Sequence, residues 1–136
     1  MLMSLQRTKH RDVIDQILAD SKKNVIEFIE DIRDNILNST NFSSQMDLAR
    51  ILFERMSDSV LMGHVIKYVL PHAENIKERQ LVFFDENKYE IFRGLSTEDV
   101  DAVTEIIKNL DEYNINIVWA YFDNMVRLAK KYKKDQ

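Results

Sequence analysis

The sequence predicts an all-α fold, a single-domain bundle of about five or six helices over residues 1–136, with one stretch near residues 81–92 that also reads as a short β-hairpin. Three observations carry this prediction. Only two glycines and one proline occur in 136 residues, so little in the chain breaks a helix. Apolar residues recur at spacings of three, four or seven through most of the length, the period of a helix with one buried face. The punctuation that exists, short polar runs and Ser-x-x-Asp signals, falls between these periodic segments. An apolar fraction of 45% with 31% charged residues is ordinary for a globular protein, and the length suffices for one core without disulfides or metals.

Residues 1–10 read as a flexible lead-in. From Asp12 to Leu37, Ile14, Leu18, Val25, Ile29, Ile32 and Ile36 predict one long amphipathic helix, or two short ones jointed at Asp20-Ser21. Its opposite face, with Glu27, Glu30, Asp31 and Asp34, is acidic and reads as solvated; its apolar seam is a candidate contact for a homodimer. The polar run Asn38 to Ser44 is a loop, because short polar side chains compete with helical hydrogen bonds. Ser44-Gln45-Met46-Asp47 fits a capping box, in which Ser44 would accept from a free backbone N–H. Met46, Ala49, Leu52, Phe53 and Met56 give the next helix its buried stripe. After a break at Ser57-Asp58, the residues Val60, Leu61, His64, Val65, Tyr68 and Val69 continue the pattern until Pro71 disfavours helical geometry at Leu70. His72 to Arg79 is a short charged turn with Ile76 as its large aliphatic.

Leu81-Val82-Phe83-Phe84 and Tyr89-Glu90-Ile91-Phe92 flank Asp85-Glu86-Asn87-Lys88, a hairpin signal. The competing reading makes Phe84, Ile91 and Phe92 anchors of short helical turns under the bundle, in keeping with the rest of the chain. Gly94 ends the segment. Ser96 with Asp99 forms a capping box and Leu95 with Val100 a hydrophobic staple, opening a helix whose buried side is Val100, Val103, Ile107 and Leu110. In the last helix Val118, Phe122, Met125, Ala129 and Tyr132 form one stripe with Ile115, Trp119 and Val126 beside it, which places this helix at the centre of the bundle.

Motifs for catalysis and metal binding are missing from the sequence. The chain has no cysteine, no HExxH, no di-iron ExxH pair and no CxxC. Of the three histidines, His64 falls beside Tyr68 at i, i+4 and reads as a satisfied, partly buried side chain; a small enzyme hidden from motif analysis would need His64 or His72 gathered with carboxylates. The run from Asp85 begins like a calcium loop but fails at its fifth, sixth and twelfth positions, held by Tyr89, Glu90 and Ser96. Glycine only at positions 63 and 94 leaves no phosphate-cradling loop. The expectation is a non-enzymatic protein with no cofactor and no metal. No stretch approaches the length of uncharged residues that a membrane span needs, and MLMSLQRTKHRD lacks a signal-peptide core, so the sequons at Asn38 and Asn41 are expected to carry no sugar and the default location is cytoplasmic.

The formal charge of −4 argues against an obligate nucleic-acid coat, yet it averages over a gradient. Asp85 to Glu112 holds nine acidic residues and three basic ones, whereas Arg127 to Lys134 holds five basic residues and no acidic one. Arg127, Lys130, Lys131, Lys133 and Lys134 are candidate nucleic-acid contacts; positive charge there also complements the C-terminal end of a helix dipole, and residues 133–136 form a basic tail. Trp119 and Tyr121, if exposed, are the candidate anchors for a protein partner.

One resemblance covers the C-terminal half. VIKYVLPHAENIKERQLVFFDENKYEIFRGL, Val65 to Leu95, followed by NIVWAYFDNMVRLAKKY, Asn116 to Tyr132, resembles small uncharacterised helical proteins of nucleocytoplasmic large DNA viruses, the giant viruses. The shared pattern is a proline-terminated segment, an Arg-x-x-x-Phe-Phe stretch at Arg79 to Phe84, an Ile-Phe-x-x-Leu at Ile91 to Leu95, and a Trp-x-Tyr-Phe helix at Trp119, Tyr121 and Phe122. These are core-type positions, so the resemblance implies origin and setting, a viral protein of the host cytoplasm or virion, and brings no catalytic residue with it. The combined reading is an interaction or structural protein that binds a partner, or itself, through a helical face.

Overall fold

The computed structural model of the chain describes the backbone from Leu2 to Gln136 and the side chains from Lys9 onward; the flexible lead-in expected for residues 1–10 falls largely on side chains outside the described residues. The fold is all-α. Six helices of ten or more residues, α1 (Leu2–Asp31), α2 (Met46–Arg55), α3 (Asp58–Tyr68), α5 (Val82–Ile91), α6 (Thr97–Lys108) and α7 (Glu112–Asp135), are joined by short turns, and the five-residue α4 (Ala73–Lys77) follows a 3₁₀ turn at Leu70–His72. No strand occurs among the described residues.

α1 runs unbroken through Asp20-Ser21, so the one-helix reading is the one seen. Ser21 is buried on the same face as Ile17, Val25, Phe28, Ile29 and Ile32, and its hydroxyl has no hydrogen-bond partner among the described residues. The helix ends in a π-turn at Ile32–Ile36, with Leu37 N–H donating to the Ile32 carbonyl at 2.8 Å. The seam offered above to a homodimer is occupied within the chain: Val25, Ile29 and Ile32 are buried against α7, α2 and α3.

α1 and α7 are antiparallel and form the spine. Asn124 donates to Asn24 at 3.1 Å, while Tyr121, a turn earlier on α7, reaches Asp31, nearly two turns later on α1. Phe28 of α1, Phe83 and Phe84 of α5, and Trp119 and Phe122 of α7 meet in one aromatic core, with ring centroids 5.2 Å apart for Phe28–Phe122, 5.0 Å for Phe83–Phe122 and 4.7 Å for Phe84–Trp119. Each buried phenylalanine contributes roughly 1.5–3 kcal/mol by leaving water, and edge-to-face pairing adds about 0.5–1.5 kcal/mol per pair.

Residues 81–92 are helical, not a hairpin. Phe83, Phe84, Asn87 and Ile91 are all buried, a spacing of i, i+1, i+4, i+8 that one helix face accommodates. A strand would send the adjacent Phe83 and Phe84 to opposite faces and leave one without cover, so core burial decides against local β-propensity.

The entries of α3, α6 and α7 follow side-chain chemistry, whereas α2, α4 and α5 start without a side-chain cap. Ser57, Ser96 and Asp111 accept from the backbone N–H groups of Val60, Asp99 and Asn114 at 3.2, 3.2 and 2.9 Å. The box expected at Ser44 does not form: α2 begins at Met46 without a side-chain cap, the Asp47 N–H donating to the Ser44 backbone carbonyl at 3.3 Å and the Asp47 carboxylate taking the Arg33 guanidinium at 2.7 Å. Val60, placed above on the buried face of α3, is 58% exposed; Leu61, Met62 and Val65 fill that face instead. Gly94 has φ +96°, and a Cβ there would press on the Leu48 carbonyl at 3.4 Å, so the α5–α6 turn lies directly on α2.

The turn expected at His72–Arg79 is α4 with a Schellman ending. Gln80 N–H donates to the Asn75 carbonyl at 2.9 Å and Arg79 N–H to the Ile76 carbonyl at 3.1 Å. The left-handed position, usually glycine, is Arg79, at φ 57°.

Candidate functional site

Of the two aromatic anchors proposed from sequence, Trp119 is inside the molecule and Tyr121 is packed at its edge. Trp119 is 2% exposed, packed on Phe84 and covered by the Arg79 guanidinium, 5.7 Å above its ring. Tyr121 is half-buried, its ring 5.5 Å from Phe28 and its hydroxyl donating to Asp31 Oδ2 at 2.8 Å. Burial, with the Asp31 carboxylate behind it, pushes the Tyr121 phenol far above its ordinary range. Both residues are therefore corrected from partner anchors to parts of the α1–α7–α5 core, because a broadly apolar helix turns its large aromatics inward when neighbours surround it. The exposed aromatic on α7 is Tyr113, at 76%. Its sequence signal was its place on the stripe opposite Val118, Phe122, Met125 and Ala129.

That outward stripe continues through Asn116, Ala120 and Asp123 to the basic residues, all exposed. Arg127, Lys130, Lys131 and Lys134 lie at i, i+3, i+4 and i+7, on one arc of the helix, with Lys133 to one side. No carboxylate among the described residues lies within ion-pair distance of these five cations. Arg127 donates only to Asn124 Oδ1, at 2.7 and 3.1 Å. Elsewhere Lys22, Lys23, Arg33, Arg50, Arg79, Lys88, Arg93 and Lys108 each have a carboxylate partner, while Lys9, Arg11, Arg55, Lys67 and Lys77 are exposed and scattered over other helices.

The acidic segments are engaged in the same way. Glu30 and Asp34 of the face read as solvated join Arg33, Asp47, Arg50 and Glu54 in a network that ties α1 to α2. Asp85 pairs with Lys108 at 2.9 Å, and Asp101 with Lys88 at 2.8 Å and the Tyr89 hydroxyl at 2.9 Å, clamping α5 to α6. The hydrogen bonds from Lys88 and Tyr89 hold the Asp101 carboxyl below the usual range. Asp85, first residue of the calcium-like run, thus sits on a helix and faces a lysine.

The histidines are not gathered. His72 stands 5.6 Å from the Phe83 ring with Glu86 at 3.9 Å. His64 lies on α3 between Phe53 and Tyr68, at 5.9 and 4.8 Å, with Nε2 3.2 Å from the Glu90 carbonyl. A carbonyl only accepts, so Nε2 carries the proton. Burial pushes the His64 pKa below its ordinary value, against the smaller upward pull of the Glu90 carbonyl. The ring sits at the edge of an apolar cavity of about 30 Å³ between α1, α2, α3, α5 and α7. Among the described residues, no group of three histidines or carboxylates could hold a metal ion, and no helix is long and apolar enough to cross a membrane.

The fold and surface define an all-α bundle with an aromatic core inside and a cationic helix end outside. No family model matches the chain, and neither a curated protein nor a solved structure does.

Proposed function

We propose that the chain is a non-enzymatic interaction protein whose docking surface is the outward stripe of α7, from Tyr113 to Lys134. The observation that carries this is a concentration of charge: five cations at Arg127, Lys130, Lys131, Lys133 and Lys134 are exposed on one helix end with no carboxylate among the described residues within ion-pair distance, whereas Arg33, Arg50, Arg79, Lys88 and Lys108 are paired. The stripe spans roughly 30 Å at the rise of an α-helix, enough for one face of a partner helix. Tyr113 is its aromatic anchor and the lysines select an acidic partner surface, which raises association rate and specificity more than affinity. The setting proposed with it, a giant-virus protein in the host cytoplasm or the virion, is supported by the sequence resemblance in the C-terminal half alone.

A second reading, nucleic-acid binding, is favoured by the clustering of Arg127, Lys130, Lys131 and Lys134 on one arc. Four phosphate contacts on a duplex would give log affinity a slope of about −3.6 against log salt. The test for both is capture of partners by the tagged chain at low and moderate salt, with and without nuclease. The wild type is compared with Tyr113→Ala and with a variant carrying glutamate at positions 130, 131, 133 and 134. A protein captured through nuclease treatment and lost in both variants supports the first reading. Capture that vanishes with nuclease and in the charge reversal alone supports the second. Capture equal in all three chains removes α7 as the docking surface.

A further inference from the structure

We infer that the outward stripe of α7 docks on the same stripe of a second copy of this chain, the two helices lying antiparallel about a twofold axis. This rests on the docking stripe proposed above and names its occupant. From Tyr113 the exposed positions step through Asn116, Ala120, Asp123, Arg127 and Lys130 to Lys134 at alternating intervals of three and four, the period with which one helix lies along another. Tyr113, at one end, is 76% exposed, and the small side chain of Ala120 at mid-stripe leaves room for a second backbone.

Charge selects the direction. Asp111 and Glu112, both exposed, stand at the start of α7, and the cations from Arg127 to Lys134 stand at its end. A parallel pair would set lysines against lysines, whereas an antiparallel pair sets each pole on its opposite. In the antiparallel register that meshes the alternating spacing, Tyr113 meets Lys130 of the second copy, Asn116 meets Arg127 and Ala120 meets Asp123, and the twofold axis repeats each contact. The lysine over the tyrosine ring is a cation–π contact. Glu112 and Lys133 lie three heptads apart on one flank of the stripe; like flanks face each other across the axis, so these two pair. Lys134 reaches the turn at Asp111. Asp123 keeps its Arg79 partner at 2.7 Å, which neutralises the two aspartates nearest the axis. A polar seam with exposed ion pairs makes the association reversible and salt-sensitive.

The test is sedimentation equilibrium of the purified full chain, freed of nucleic acid, at low and high salt. A dimer that forms with rising concentration and weakens in high salt is expected. An exposed ion pair is worth about a factor of two in affinity and the axis counts it twice, so Glu112→Lys or Lys133→Glu alone should raise the dimer Kd about fourfold. The two changes in one chain should return it towards the wild type. The chain has no cysteine, so an Asn116→Cys chain mixed with an Arg127→Cys chain reads the direction: a disulfide between the two, in higher yield than in either chain alone, is expected. A dimer indifferent to the charge changes, or one that joins Asn116→Cys chains to each other as readily, overturns the assignment. A monomer at every concentration overturns it too; if partner capture is still lost in Tyr113→Ala and in the glutamate variant, the stripe keeps its docking role with a different partner, and if capture is equal in all chains both readings fall.

Discussion

Replacing Arg79 separates two effects that the native residue combines, the strain of its backbone and the bonds of its side chain. At φ 57° a residue with a Cβ carries about 1–2 kcal/mol that glycine does not. Against this, the guanidinium donates to the Ile76 carbonyl at 3.0 Å, to both Asp123 oxygens at 2.7 Å, and lies over Trp119. The carbonyl bond is worth about 1 kcal/mol. Arg79 and Asp123 are 43% and 47% exposed, so solvent screening limits their pair to about 0.5 kcal/mol, and the cation–π contact adds about 0.5 kcal/mol. Arg79→Ala loses all three and keeps the strain, for a loss of about 2 kcal/mol from these terms together. Arg79→Gly loses the same bonds but relieves the strain, less the extra entropy of glycine in the unfolded chain, and so ends about 1 kcal/mol above the alanine variant. Urea unfolding followed by Trp119 fluorescence and helical circular dichroism measures both. An alanine variant as stable as the glycine variant, or more so, would refute the claim that position 79 holds strain in exchange for its contacts.

Three further outcomes follow from the same geometry. The folded-state pKa of His64 lies below its unfolded value of 6.5, so the unfolded chain takes up the proton first. Stability is therefore full above pH 6.5 and declines as pH falls through the folded pKa; urea midpoints between pH 7.5 and 5 will fall in the wild type and flatten in His64→Gln if this group governs the change. Tyr121→Phe removes a hydrogen bond to a carboxylate and is expected to cost about 1.5 kcal/mol while leaving partner capture unchanged; a loss of capture with no loss of stability would return Tyr121 to the surface role. Ser96→Ala should cost about 1 kcal/mol through its lost cap, whereas Ser44→Ala should be neutral within about 0.5 kcal/mol, a contrast that thermal unfolding of the two variants will read directly.

The helices were legible because their apolar period was strong and the entry at Ser96 is local: the capping residue and the N–H it serves are three positions apart. Ser44 carried the same local signal and failed: its backbone carbonyl, not its hydroxyl, takes the Asp47 N–H, and the Asp47 carboxylate pairs with Arg33, fourteen residues earlier. No local pattern announces that pairing. The stretch 81–92 was ambiguous for a related reason, since only the rest of the core decides that Phe83 and Phe84 must face the same way. At the candidate site, the five basic residues could be named from sequence, but not that Arg33, Arg50, Lys88 and Lys108 are paired with carboxylates while these five are not. Trp119 and Tyr113 were separable only by phase along α7, and a helix apolar on most sides makes that phase hard to read. Arg79 at a glycine position left no trace in the sequence, because its compensation comes from Asp123 and Trp119, some forty residues away.

The antiparallel spine also governs the order in which the chain can fold. Asn24 and Asn124 are separated by 100 residues, and Phe28, Phe83 and Phe84 all depend on Trp119 or Phe122 for cover. On a ribosome, where the chain emerges N-terminus first, α1 to α6 can form helices and local ion pairs, but the aromatic core stays open until α7 is released. Completion then requires one long loop closure, whose entropy grows only slowly with length, so the vulnerable quantity is time with exposed rings and not final stability. A chain halted before residue 119 presents three uncovered phenylalanines, a surface suited to chaperones and to aggregation.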